Sequence, residues 1–216
     1  GPACAIAAGA ATIYRNYFAP VGDQIGQSAA NQIDGLADLG AELSRALGRP
    51  VNDLWSMQNG YALATRTGLE MIGAHLRETG DAAVNELAGH LRVGVHQGVE
   101  ATDGPSSPGP RVTQVFCSAL PVAYGRWPQP LWQEFAQLIL DAAYEATLLA
   151  GVLNSRQGGS NIVLLTLLGG GAFGNASEWI HTAIQRALDK TQVHGLDVRM
   201  VSYGQPSAQL QALVEL

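Results

Sequence analysis

The sequence predicts an α/β fold with a largely parallel sheet, and three observations carry that prediction. The run "NIVLLTLLG" (161–169) is apolar throughout, as expected of a central strand covered on both faces. The segments before and after it, 130–150 and 176–189, repeat their apolar residues at helical spacing. Helices therefore alternate with buried strands through the C-terminal half. The chain has 216 residues, 47% of them hydrophobic and 14% charged, enough to bury one substantial core. A single domain is expected over residues 3–216.

Taken in order, "ACAIAAG" (3–9) reads as a short buried strand ending at Gly9. Residues 28–47 place Ile33, Leu36, Leu39, Leu43 and Leu47 on one helical face, with Gly48 and Pro50 as the stop. Asn59-Gly60 marks a turn, and "YALAT" after it reads as an edge strand. Two modest helices are expected near 68–78 and 81–90. Strand composition returns at 91–102 and 111–125, either side of "TDGPSSPGP", a surface loop rather than a domain boundary. The helix 130–150 turns Trp132, Phe135, Leu138, Ile139, Ala142 and Ala146 inward. The helix 176–189 does the same with Trp179, Ile180, Ala183, Ile184 and Leu188, and "LDVRMVSYG" (196–204) supplies the last strand.

The net charge of −6 argues against a nucleic-acid backbone or an anionic membrane as the main partner. No purely apolar run of about 18 residues predicts a membrane span, and no leader pattern opens the chain. Gly1-Pro2 is expected to be a protease scar with natural sequence upstream, and the provisional compartment is the cytoplasm. Cys4 and Cys117 are expected to be buried free thiols, although one bridge between them is conceivable. His75, His90, His96, His181 and His194 show no metal-ligand spacing, and neither a metal nor a cofactor is expected. Ser118 and Ser160 lack the context of a hydrolase nucleophile. Trp127 and Trp132 are read as core or rim packing, with stacking on adenine as the alternative.

The densest signal follows the central strand: Gly169, Gly170, Gly171, Ala172, Phe173, Gly174, Asn175, then a helix that Asn175 or Ser177 can cap. Glycine carries an entropic cost wherever it is fixed. Four in six positions imply that something approaches the backbone closely. Strand carboxyl ends in α/β sheets collect ligands, and a helix N-terminus offers free N–H groups and partial positive charge. A phosphate cradle is therefore favoured over a tight turn made for packing alone. Gly169, Gly171 and Gly174 also spell the dinucleotide fingerprint GxGxxG. Its acidic partner would be Asp197, which opens the next strand instead of closing it.

The string "LLTLLGGGAFGN" resembles the G-x-G-x-[FY]-G loop of macrodomains, the family that binds ADP-ribose, through Gly169, Gly171, Phe173 and Gly174. The resemblance extends over about 111–204. It implies a three-layer α/β/α arrangement around a mixed sheet, and backbone amides of Gly170 to Gly174 holding the diphosphate and distal ribose, with Phe173 against that ribose. Macrodomains usually carry Asn-Ala-Ala-Asn after an early strand; "AGAAT" stands there instead. The polar segment "RNYFAPVGDQIGQ" that follows is similar to divergent macrodomains, among them bacterial effector hydrolases that remove ADP-ribose from arginine on ubiquitin.

Hydrolysis of such an N-glycosidic bond needs a carboxylate or amide to orient ribose hydroxyls and position a water. Asp23, Asp34 and Glu100 are the candidates, with Asp103 behind them and Asn16, Gln24 and Gln27 as ligand-binding partners. Each has a plainer explanation: Asp34 as a solvated helix residue, Glu100 and Asp103 as surface groups, and Arg15 as a structural partner for a carboxylate. The expectation is an ADP-ribosyl hydrolase acting on ADP-ribose-modified protein. A non-catalytic ADP-ribose reader, a dinucleotide-binding domain and a domain whose glycines serve packing only are the alternatives.

Overall fold

The computed structural model describes residues 7–202, 204–206, 208, 210 and 211. Helices α1 (Gly9–Tyr17), α2 (Ala37–Leu47), α3 (Val51–Leu54), α4 (Arg66–Glu78), α5 (Asp81–Ala88), α6 (Gln133–Arg156) and α7 (Ser177–Thr191) are joined by eight strands. These are β1 (Pro20–Val21), β2 (Gln24–Ile25), β3 (Trp55–Gln58), β4 (Tyr61–Ala64), β5 (Gly94–Glu100), β6 (Arg111–Phe116), β7 (Ile162–Thr166) and β8 (Asp197–Val201).

The chain mixes helix and strand as predicted, but the strands do not form a largely parallel sheet among the described residues. They pair two by two, β1–β2, β3–β4 and β5–β6 antiparallel and only β7–β8 parallel. The reason lies partly in short connections: Asn59-Gly60, both at positive φ, folds β3 directly back onto β4.

The core is built around α6. Its Phe135 ring lies 5.3 Å from that of Trp55. Trp132, Ile139, Leu140 and Leu148 are fully buried with Leu39, Leu43, Leu54, Leu69 and Ile72 of the N-terminal helices and Ile184 of α7. Trp179, Ile180 and Ala183 are buried on α7 as its periodicity predicts, and Leu188 packs against the core from a half-buried position. Charge reinforces the seam: Arg186 of α7 lies 3.0 Å from Glu145, and Lys190 2.6 Å from the same carboxylate. The 129–156 stretch, a 3-10 turn and α6, is long and apolar enough to cross a membrane, yet 56% of its most apolar window is buried inside the protein. Core packing accounts for its hydropathy.

Several boundaries differ from expectation. The strand expected at 3–9 falls partly outside the described residues, and Gly9 itself opens α1. The helix expected from residue 28 starts at Ala37, and Ile33 is exposed. β6 ends at Phe116, and a 3-10 turn at Val122–Tyr124 occupies what read as continuous strand. β7 is covered on one face only: Val163 and Leu165 are buried, while Ile162 and Leu164 are 42% and 65% exposed.

Candidate functional site

The glycine turn leaves β7 where predicted and is held from below by the segment 118–123. A Cβ at Gly169 would lie 2.5 Å from the Ala119 Cβ, and one at Gly174 2.8 Å from the Ala123 Cβ. Both glycines also have positive φ, at 82° and 69°. Packing and backbone conformation therefore require these two glycines. Gly171 has φ of 63° but faces open space. Gly170 has an ordinary φ of −69°, and a Cβ there would meet nothing nearer than 3.4 Å. Local structure gives no reason for Gly170.

Two further side chains lock the turn. Tyr144 of α6 donates its hydroxyl to the Thr166 carbonyl at 2.8 Å and accepts from the Leu168 N–H at 2.7 Å. Burial pushes the phenol's pKa up and keeps it a donor. Asn175 does not cap α7 through its side chain, and neither does Ser177; Ala176 occupies the N-cap position. The Asn175 amide is only 7% exposed and donates instead to the carbonyls of Leu120 (2.9 Å) and Gly169 (3.0 Å), leaving its Oδ1 buried without a partner. The positive φ at Gly169 belongs to the turn that brings its carbonyl to this amide.

Of the amides assigned to a diphosphate, Gly170 N–H bonds the Leu167 carbonyl and Gly174 N–H bonds the Gly171 carbonyl. Those two are occupied, as is Asn175 N–H on the Gly169 carbonyl. Gly171–Phe173 is one 3-10 turn that points the Phe173 N–H back at the Gly170 carbonyl, and among the described residues the successive N–H groups of Gly171 and Ala172 have no acceptor. The first turn of α7 follows. The Phe173 ring is engaged edge to face by Tyr61 (5.8 Å) and Tyr124 (5.6 Å), themselves 5.3 Å apart. This aromatic rim was not legible in the sequence, because the hairpin β3–β4 and the 3-10 turn 122–124 bring its members from distant positions. Trp132 is fully buried and closed to a ligand ring, while the half-buried Trp127 donates its indole N–H to the Ala64 carbonyl at 3.0 Å.

The polar N-terminal segment is folded on itself. Asn16 and Gln27 bond through both backbone and side chain, at 2.7 and 3.1 Å. Gln27 Oε1 also accepts from Ile33 N–H, and Gln24 bonds the Gly26 carbonyl. Asp34 lies ahead of α2, not on it, and its Oδ1 accepts from Leu36 N–H at 2.8 Å. Glu100 accepts from Gly109 N–H at 2.9 Å and pins the surface loop. Asp23 is exposed in the β1–β2 turn, and Asp103 is exposed in the surface loop. Among the described residues no hydrogen bond joins this segment to the glycine turn.

Arg15 points from the polar segment to the end of β6. Its guanidinium lies 3.7 Å above the Phe116 ring, and Nη1 is buried with no acceptor. No carboxylate pairs with it among the described residues, which corrects the expected structural ion pair. His96 packs on the same Phe116 ring at 5.1 Å. Burial, then the Arg15 charge, pull its pKa below the usual value. From Phe116 to Ala119, beneath Gly169, is three residues, at most about 10 Å of chain. The Arg15 cation thus lies at the carboxyl end of β6, and the glycine turn at the carboxyl end of β7.

At the far end of the parallel pair, Asp197 stands opposite Ile162 and bonds Arg199. The glycine turn follows Thr166, so the carboxylate lies about 13 Å of strand away. That is the wrong end for a ribose in the dinucleotide arrangement. No family model, curated protein or solved structure matches this chain.

Proposed function

We propose that this protein binds ADP-ribose at the glycine turn and hydrolyses it from a modified protein side chain, arginine being the favoured acceptor. One observation carries the reading: two successive N–H groups, Gly171 and Ala172, have no acceptor among the described residues, at a strand carboxyl end and followed by a helix N-terminus. They suit the oxygens of a diphosphate. The exposed Arg126, two residues from the Tyr124 ring that packs on Phe173, offers a positive charge to the dianion.

In this reading a carboxylate orients the ribose and draws a proton from water. The water oxygen bonds to the anomeric carbon while the carbon–nitrogen bond breaks, and the departing nitrogen takes up a proton. Asp23 has neither oxygen bonded among the described residues, whereas Asp34 and Glu100 each hold a backbone N–H. That same engagement favours the second reading, a non-catalytic ADP-ribose reader.

Gly171→Ala tests ligand binding, because its Cβ would enter the open space in front of the free amides. The positive φ of 63° makes the substitution cost about 1–2 kcal/mol of stability. Calorimetric affinity for ADP-ribose is expected to fall at least tenfold in the folded variant. Absence of heat from wild-type protein with ADP-ribose, or equal heat with NAD, overturns the binding reading. Incubation with arginine- and glutamate-linked ADP-ribosylated proteins tests turnover. If Asp23→Ala and Asp34→Ala both leave turnover intact, the catalytic assignment is wrong.

A further inference from the structure

Three aromatic rings from separate elements meet beside the glycine turn, and the function proposed above gives two of them no task. Tyr61 opens β4 opposite Gln58, where the Asn59-Gly60 turn closes the hairpin. Tyr124 ends the 3-10 turn that starts with the buried Val122. Phe173 follows Ala172, whose N–H has no acceptor among the described residues. The three ring planes stand at 84°, 89° and 76° to one another, so no pair is stacked face to face. Tyr61 and Tyr124 are 37% and 48% exposed. Ring surface open to solvent therefore lies next to the free amides.

The supports of these rings are fixed by the core. At the base of the hairpin Trp55, 2% exposed, pairs with Ala64, whose carbonyl takes the Trp127 indole N–H. The 3-10 turn sets Ala123 against Gly174. Rings held in place before a ligand arrives lose little freedom on binding it. The polar segment reaches the same hairpin. Gln32 lies over Gly60, where a Cβ would come within 3.3 Å of the Gln32 Oε1. Its neighbour Asn31 donates to the Val21 carbonyl at 3.0 Å, two residues before Asp23. The hairpin tip thus contacts both loops of the proposed site, the polar segment through Gly60 and the glycine turn through Tyr61. A group that leaves the reacting ribose has to lie between those loops. The face of an aromatic ring is electron-rich and attracts a flat guanidinium, an attraction it does not offer a carboxyl or amide group. Arg126 is exposed, and a dianionic diphosphate more than offsets its repulsion of a second cation.

We propose, building on the ADP-ribose reading, that Tyr61 and Tyr124 select arginine as the acceptor by stacking its guanidinium. Calorimetry on the full chain tests this with three ligands: free ADP-ribose and two peptides carrying uncleavable ADP-ribose analogues, one linked through arginine and one through glutamine. Wild type is expected to bind the arginine-linked peptide about fivefold more tightly than the glutamine-linked one. Tyr61→Leu and Tyr124→Leu should each reduce that preference while leaving the affinity for free ADP-ribose within about twofold of wild type. Tyr61→Phe, which restores the ring, should keep the preference. Equal affinity of wild type for the two peptides, with free ADP-ribose still bound, overturns the proposal and leaves the ADP-ribose reading standing. A parallel loss for all three ligands in the leucine variants also overturns it, and makes the rings a seat for ADP-ribose itself. Wild type that binds none of the three overturns both. If the leucine variants do not fold, NMR on the wild type decides. The ring protons of Tyr61 and Tyr124 should shift further with the arginine-linked peptide than with free ADP-ribose, and identical shifts overturn the proposal.

Discussion

The glycine turn and the polar segment 15–34 are both ligand-contacting loops in the proposed reading, yet they are held in different ways. The turn is gripped from outside itself, by the Tyr144 hydroxyl, by Ala119 and Ala123 beneath it, and by Gln129, which donates to the Gly174 carbonyl at 2.9 Å. The polar segment is gripped mainly by its own residues, Asn16, Gln24, Gln27 and Asn31. The geometry of the first is a property of the core. That of the second is local, and changes there are expected to alter the ligand response while sparing the fold.

The largest effect should come from Gly169→Ala. It combines a left-handed backbone, costing about 1–2 kcal/mol, with overpacking against Ala119 worth about 1–3 kcal/mol. A clear fall in melting temperature is expected; an unchanged one would show that the turn is not fixed by the core. Next is Tyr144→Phe, which strips a buried hydroxyl from two backbone partners and should cost about 1–3 kcal/mol. Hydrogen exchange at the Leu168 amide should accelerate with it. Gln27→Ala should cost about 1 kcal/mol or less, with faster exchange confined to Gln27–Ile33. If that change destabilises as much as Tyr144→Phe, the contrast between the regions fails.

The smallest effect is electrostatic. The lowered His96 pKa means that the unfolded chain binds more protons between the folded value and 6.5. The contribution of His96 to stability is therefore complete above pH 6.5 and is lost as pH falls through that window. Arg15→Leu removes one of the two causes, and an NMR titration of the imidazole should move toward the ordinary value. No movement would separate Arg15 from the Phe116 cluster.

Most helices could be read from the sequence because their apolar faces are periodic and their ends marked; Gly48, the left-handed C-cap of α2, is one case. Its beginning was not legible: Ile33 keeps register with Leu36 and Leu39, but the backbone at 27–36 is diverted by the Gln27 and Asp34 side chains. The run 161–169 has no period, so it cannot tell a strand covered on one face from one covered on two. The glycine turn was legible as the link between a strand and a helix, whereas the internal occupation of the Gly170 and Gly174 amides was not, since it depends on the sign of φ at each residue. Asn175 fitted a helix cap by position. Its amide is drawn instead to the Leu120 carbonyl, 55 residues earlier, a contact no local pattern encodes.

The length of α6 sets how the protein should come apart. Its N-terminal end packs Trp132 and Phe135 with Trp55, while farther along it Tyr144 and Gly151 adjoin β7. Neither end can melt without exposing the other's apolar surface, so denaturation is expected to be one cooperative event. Fluorescence from variants retaining only Trp55 or only Trp179 should report a single shared midpoint in urea.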